Sequence, residues 1–200
     1  MTGVQTCALP ICANETLRLV LEAVGQTDIP IEKDKALNER MYGDLQGLNK
    51  AETAQKYGEA QVKIWRRSYD IPPPALALDD PRHPRQDRRY RDLDATLLPA
   101  TESLKDTLAR VEPLWEQQVA PMLREGRNVL IFAHGNSLRA MVKMLDGMSE
   151  AEILEFNIPT GVPIVYDLAP DLTSRGRRFL GDPAAIAAAA EAVARQTEKK

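Results

Sequence analysis

The sequence is poor in the residues that most often build metal centres and covalent cross-links. Its 200 residues include two cysteines, Cys7 and Cys12, and two histidines, His83 and His134. Two cysteines near the N-terminus with none after them make no disulfide framework. With two histidines, and no carboxylates grouped with them at ligand spacings, no metal set emerges. No apolar run approaches membrane-spanning length, and no stretch reads as a charged-then-apolar leader. A net charge of −3 gives no global pull toward nucleic acid or membrane, so any anion site has to be a local cluster. The dinucleotide fingerprint and the phosphate loop are absent, and Gly135-Asn136-Ser137-Leu138 lacks the flanking glycines of a nucleophile elbow. There is no internal repeat. What remains is one domain, 44% hydrophobic and 28% charged, long enough for a core. A cytoplasmic enzyme or binding domain is the default reading.

What is present centres on Val129 to Arg139. An apolar run of strand length ends in His134, Gly135 and Asn136, and a helical pattern (Leu138, Met141, Val142, Leu145) follows at once. A strand that meets a helix through a tight turn offers the helix's unpaired N–H groups to an anion. Upstream, Met1 to Ile11 carries no helical or strand period. From Ala13 a stripe of Leu17, Val20, Leu21 and Val24 predicts a helix closed by Gly25. Ile29 to Lys33 suits a short strand, and Ala36 to Lys50 a structured loop. Asn49 with Glu52 predicts a cap for a short helix ending near Gly58, and a second helix spans Ala60 to Tyr69. The prolines after Ile71 end that helix.

Asp79 to Asp94 reads as a long loop in which Arg82, Arg85, Arg88, Arg89 and Arg91 alternate with aspartates. That pattern suits a solvated, self-paired segment, although loops of this length are often lids. Thr101 to Arg124 is a long helix in which Pro113 predicts a kink. Helices to Leu145 and over Ser149 to Phe156 follow, then a strand over Gly161 to Leu168 and an edge strand over Arg177 to Leu180. The alanine-rich residues 183–200 read as a weakly packed helical tail. The strand–helix alternation points to an α/β fold, a mainly parallel sheet in three layers with helices on both faces.

The chemical groups that stand out are one acid, Glu39, one imidazole, His134, and a set of cations and donors. That combination suits a small phosphorylated, carboxylated ligand. Each part also has a plainer reading: a structural histidine, a surface Glu39–Arg40 pair, and turn-forming Gly43 and Gly47.

Five blocks carry a family resemblance. They are Leu37-Asn-Glu-Arg-Met-Tyr-Gly-Asp-Leu-Gln-Gly-Leu-Asn-Lys50, Trp65-Arg-Arg-Ser-Tyr-Asp-Ile-Pro-Pro-Pro74, Glu102-Ser-Leu-Lys-Asp-Thr107, Ala133-His-Gly-Asn-Ser-Leu-Arg139 and Asn157-Ile-Pro-Thr-Gly161. In this order they resemble the cofactor-dependent phosphoglycerate mutases of the histidine phosphatase superfamily, over residues 13–182. The resemblance implies interconversion of 2- and 3-phosphoglycerate through a phosphohistidine, primed by 2,3-bisphosphoglycerate and without a metal. It makes Glu39 the proton donor and acceptor and His134 the histidine that stabilises the transferring phosphoryl group. Arg40, Met41, Tyr42, Lys50, Arg66, Arg67, Gly135 and Asn136 match substrate-binding positions, with Met41 replacing a histidine common there. The family is often dimeric or tetrameric, so a homodimer or homotetramer is the implied assembly of an intact protein.

The front of the chain departs from the family. Members open with a strand ending in Arg-His-Gly, which carries the nucleophile, and later carry a Ser-x-Leu-x-Arg-Ala block; neither occurs here. Met1 to Ile11 resembles the in-frame translation of a sequencing-library adapter, and Cys12 stands where that block's arginine belongs, as a joined TGC in place of CGC would give. Residues 1–12 are therefore expected to be a non-native scar on a domain short of about eighty residues, its N-terminal strand and helix region. Such a chain is expected to lack mutase turnover and to be poorly stable. Two alternatives stay open: a non-catalytic anion-binding or interaction domain, and a phosphatase of the same superfamily.

Overall fold

A computed structural model describes residues 3–7, 11–90, 92–94 and 98–194. Strand β1 (Gly3–Cys7) leads into helix α1 (Ile11–Val24), and strand β2 (Ile31–Lys33) follows. Helices α2 (Lys50–Tyr57) and α3 (Glu59–Arg67) come after the glycine-bearing loop. Helix α4 (Leu104–Leu114) passes through a π-helical turn, Trp115–Val119, into α5 (Ala120–Arg124). Strand β3 (Asn128–Phe132), helix α6 (Gly135–Asp146), helix α7 (Glu150–Glu155), strands β4 (Ile164–Leu168) and β5 (Ser174–Phe179), and helix α8 (Pro183–Ala194) complete it. The α/β class read from the sequence is the class that forms.

The sheet is parallel, in the order β2-β1-β3, with Gln5 opposite both Ile31 and Leu130. The middle strand, Gly3–Cys7, thus falls within the stretch expected to be a non-native scar. Parallel strands β2 and β3 leave a gap of unmet backbone donors and acceptors between them, and Gly3–Cys7 fills it on both sides. Strands β4 and β5 pair antiparallel as a separate hairpin, where the sequence suggested additions to one sheet.

Caps set the helix boundaries. Ser103 and Asp106 form a reciprocal capping box on α4, and Ser149 with Glu152 does the same on α7. Asn49 Oδ1 accepts from the Glu52 amide at 3.3 Å, as the sequence suggested. Pro113 has no N–H to give, and the irregularity expected there takes the form of the π turn just beyond it. The buried face of α1 is Ala13, Leu17 and Leu21 at a spacing of four, while Val24, placed on the stripe by the sequence, is 58% exposed. That face packs with Leu37, Val111, Leu114 and Met141, against Ile131 and Phe132 of β3. A second cluster joins Leu104, Ala140 and Ile153, so α4, α6 and α7 share one apolar seam.

The loop after Leu78 is anchored rather than free. Arg82 Nη2 donates to Asp44 Oδ1 at 2.7 Å, its Nη1 reaches the Asp44 carbonyl at 3.0 Å, and Asp80 holds the same guanidinium from the other side. His83 is fully buried beside it. Arg91 and the side chain of Arg89, named in the sequence reading of this loop, lie outside the described residues, as do residues 195–200 of the tail. No described helix is long and apolar enough to cross a membrane.

Candidate functional site

The acid and its partners come from three places in the chain: the loop before α2, the end of α3 and the start of α6. Strand β3 ends at Phe132, and His134 is the residue that caps α6. Asn136, one turn-start later, is buried and turns its amide toward the loop. Its Nδ2 donates to Glu39 Oε1 at 3.0 Å and to Tyr42 Oη at 2.7 Å. Glu39 Oε1 also accepts from the Arg40 backbone N–H at 2.7 Å. The Glu39–Arg40 surface pair considered from sequence is therefore not made: the carboxylate turns to Asn136, and the Arg40 side chain turns to α3.

Arg40 is the most unusual residue of the group. It is 1% exposed, and its Nη2 donates to the carbonyls of Trp65 at 3.2 Å and Arg66 at 3.0 Å. Its Nε and Nη1 are buried without a partner. The guanidiniums of Arg40 and Arg66 each lie 4.6 Å from the centroid of the Tyr42 ring, so one aromatic carries two cations. Below them Arg139, also buried, donates to Asn136 Oδ1 at 3.1 Å, to the Phe156 carbonyl at 3.1 Å and to the Ile153 carbonyl. This orients the Asn136 amide, leaving its nitrogen for Glu39 and Tyr42.

The electrostatics match this picture. Burial pushes Arg66 below the ordinary arginine range, with Arg40 adding to the shift while Tyr42 and Glu39 oppose it. Arg67 is lowered by burial and by its neighbours Arg66 and Arg40. Arg139 comes down to about 10, first by burial and then through Arg67 and Arg40. Four guanidiniums outnumber the carboxylates beside them, Glu39 and Glu155, and form a concentrated positive site that an anion would relieve.

Other expected site residues fall differently. His134 Nε2 lies 2.5 Å from Cys12 Sγ at the start of α1, and its Nδ1 is buried without a partner. Its ring thus meets none of the loop residues in the described contacts. Met41 contributes its backbone, whose N–H and C=O both pair with Glu102. Gly135 is exposed at the first turn of α6, and a Cβ there would meet nothing within 4 Å. The side chain of Lys50 lies outside the described part of the structure. Arg67 reaches Val193 O of α8 at 3.3 Å, bringing the tail helix to the edge of the site.

Sequence reasoning passed over Arg139, Ser137, Glu102 and Arg110, all of which hold this arrangement together. Arg139 and Ser137 sat on the apolar period of α6 as unexplained polar residues, which was the available signal. Two surface concavities, of about 530 and 600 Å³, lie elsewhere, one beside Asp146 and Arg177 and one between α1 and β2. Neither includes a residue of the Glu39–Asn136 group, in which Arg40 and Arg66 lie over the Tyr42 ring.

The family model described as the histidine phosphatase superfamily, branch 1, matches residues 12–83 and 77–173, which is most of the chain and includes every residue of this group. The chain belongs to the histidine phosphatase superfamily. Solved superfamily-like structures agree in fold. Mycobacterial glucosyl-3-phosphoglycerate phosphatase in complex with inorganic phosphate has a TM-score of 0.63 at 20% identity, over 88% of this chain and 74% of that one. A structure titled mycobacterial hydrolase 2 gives 0.62 at 20% identity, over 94% and 76%. The α-ribazole phosphatase of Shigella flexneri gives 0.57 at 19% identity, over 90% and 73%. At these identities the likeness is one of fold.

Proposed function

We propose that the site takes a small phosphorylated carboxylate of the phosphoglycerate type, and that its chemistry is phosphoryl transfer of the mutase kind. One observation carries the reading. Arg40, Arg66, Arg67 and Arg139 bring four positive charges together against two carboxylates, Glu39 and, beside Arg67, Glu155. The surplus is positive and suits an anionic ligand that carries a phosphate. Arginine's planar fork suits phosphate and carboxylate alike.

The primer 2,3-bisphosphoglycerate fits the same donor set. The orphaned Nε and Nη1 of Arg40 are buried donors that want an anion's oxygens, and Arg66 and Arg67 flank them. When bound, such a group supplies the phosphoryl that primes the family's nucleophile. The chain's own residues bind and orient. Arg40 and Arg66 hold oxygens, Asn136 fixes Glu39 and Tyr42, and Glu39 stands where a substrate hydroxyl would exchange its proton. His134 enters this reading through the family resemblance and its place at the N-terminus of α6, its ring lying against Cys12 in the structure.

A second reading, a phosphatase, is favoured by the names of the solved structures of similar fold, two of which are phosphatases. Blocks 65–74 and 157–161 favour the mutase. Calorimetric titration of the 200-residue protein separates these readings. The mutase reading expects 2,3-bisphosphoglycerate and 3-phosphoglycerate to bind at least about tenfold tighter than glucose 6-phosphate, the worth of one charge-assisted contact. It also expects no 3- to 2-phosphoglycerate conversion above a contaminant control, since His83 and His134 are the chain's two histidines and neither lies in Arg-His-Gly. Equal binding of glucose 6-phosphate, or no binding of any, removes the phosphorylated-carboxylate reading. Preference for 3-phosphoglycerate over the bisphosphate favours the phosphatase.

A further inference from the structure

The Glu39 carboxylate is presented by a stretch with little regular structure of its own, between the short 3-10 turns Lys35–Leu37 and Gly43–Leu45. Something else has to fix residues 36–42. The fixing groups sit on and just before α4. Arg110 donates from Nη1 to the Ala36 carbonyl and from Nη2 to the Asn38 carbonyl at 2.9 Å. The same guanidinium grips Glu102, Nε to Oε1 at 2.8 Å and Nη2 to Oε2 at 3.2 Å. Glu102, itself buried, accepts the Met41 N–H on Oε2 at 2.8 Å, and its own N–H donates to the Met41 carbonyl at 2.8 Å. The Asn38 carbonyl receives a further hydrogen bond from Ser137 Oγ of α6. Thus the backbone is held at Asn38 on one side of Glu39 and Arg40, and at Met41 on the other.

We infer that Glu102 and Arg110 are positioning residues for the site: a bidentate ion pair that sets Glu39 and Arg40 without touching the ligand. The inference rests on the proposed reading of the site. Geometry supports a dedicated role, because one planar guanidinium reads two loop carbonyls and one carboxylate at once. A lysine ammonium is a point charge and reproduces the charge without the fork. Glu102 spends its second oxygen on the loop, so the pair couples the loop to α4 instead of tying α4 to its own cap. Ser137 and Asn136 are neighbours on α6, so the helix that orients Glu39 also shares the Asn38 anchor.

The test compares Arg110→Lys and Glu102→Gln with the parent chain, and with Met122→Ala as a destabilised variant remote from the loop. Calorimetry with 3-phosphoglycerate and thermal unfolding are measured on each. Arg110→Lys is expected to weaken 3-phosphoglycerate about tenfold, the factor for one misplaced charge-assisted contact. Met122→Ala is expected to melt lower with affinity unchanged. In the cycle with Arg40→Lys, Arg110→Lys should lose most of its effect, because a positioning residue acts through the group it positions. Purely additive losses, or parent-like affinity in Arg110→Lys and in Glu102→Gln, overturn the inference while leaving the site reading intact. If one variant does not fold, the other carries the same cycle, and Ser137→Ala releases the Asn38 anchor alone as a third route. A parent chain that binds no 3-phosphoglycerate removes the site reading, and the inference with it.

Discussion

Arg139 shows how a single buried charge can serve a site from underneath. Its three acceptors are Asn136 Oδ1 and the carbonyls of Ile153 and Phe156, so it both aims the amide at Glu39 and joins α6 to α7. Replacing it with methionine keeps volume but strands buried acceptors, at a cost of about 1–3 kcal/mol. Urea unfolding reads that loss, and 3-phosphoglycerate affinity should fall with it as Asn136 loses its orientation. The pH dependence has a defined sign. Burial, with Arg67 and Arg40 adding to it, holds Arg139 down to about 10, so from there up to the ordinary arginine range the folded chain binds fewer protons than the unfolded one. Stability therefore rises with pH across that window, and the burial cost is fully present below it. The gap between parent and Arg139→Met should stay flat from pH 7 to 9 and move in the parent's favour above about 10. A gap that shrinks there contradicts the assignment.

Elements were legible where period and chemistry agreed. The run into His134, the cap at Asn49 and the helical stretch from Thr101 to Arg124 all announce themselves by spacing. The α6 polar face did not, since Asn136, Ser137 and Arg139 are buried only because loop carbonyls and side chains from 38–42 and 153–156 come to meet them. Their place on an apolar period hinted at burial, but spacing within a helix does not name the partners. The glycine-bearing loop was equally opaque. Gly43 has φ +54°, and a Cβ there would lie 2.2 Å from the Pro74 carbonyl oxygen and 2.9 Å from Thr101 Oγ1. Gly47 has φ +74° with nothing within 4 Å of its Cβ position. Gly47→Ala is thus expected to cost about 1 kcal/mol, the left-handed penalty alone. Gly43→Ala adds a clash with backbone and should cost at least about 2 kcal/mol more. Comparing their midpoints in denaturant checks this. Equal losses would mean that Pro74 moves freely, and that the contact does not pin the loop carrying Glu39.

At the scale of the whole molecule, the α/β class was readable from alternation, but the place of Gly3–Cys7 was not, because five residues without a period name no partner. Only the tertiary arrangement does so: β2 and β3 lie one strand apart, and β1 meets both. The sheet it completes is thin. Ile31 and Leu130, opposite Gln5 on its two sides, are each 44% exposed, so burial contributes modestly along that row and backbone pairing has to carry more of it. Two accounts of the N-terminus then differ in a measurable way. If Gly3–Cys7 is a central strand of the cooperative fold, Gln5→Pro removes a ladder donor and fixes φ in the middle of a three-stranded sheet. The expected loss is about 3 kcal/mol, a large share of the roughly 5–15 kcal/mol that stabilises a domain. Gln5→Ala, which keeps the ladder, should stay within about 0.5 kcal/mol of the parent. If the segment is a non-native scar lying beside an otherwise sufficient core, both substitutions leave the urea transition unchanged. A Gln5→Pro transition that coincides with the parent's therefore places Gly3–Cys7 outside the folding unit, whereas a shifted transition makes it the centre of the sheet.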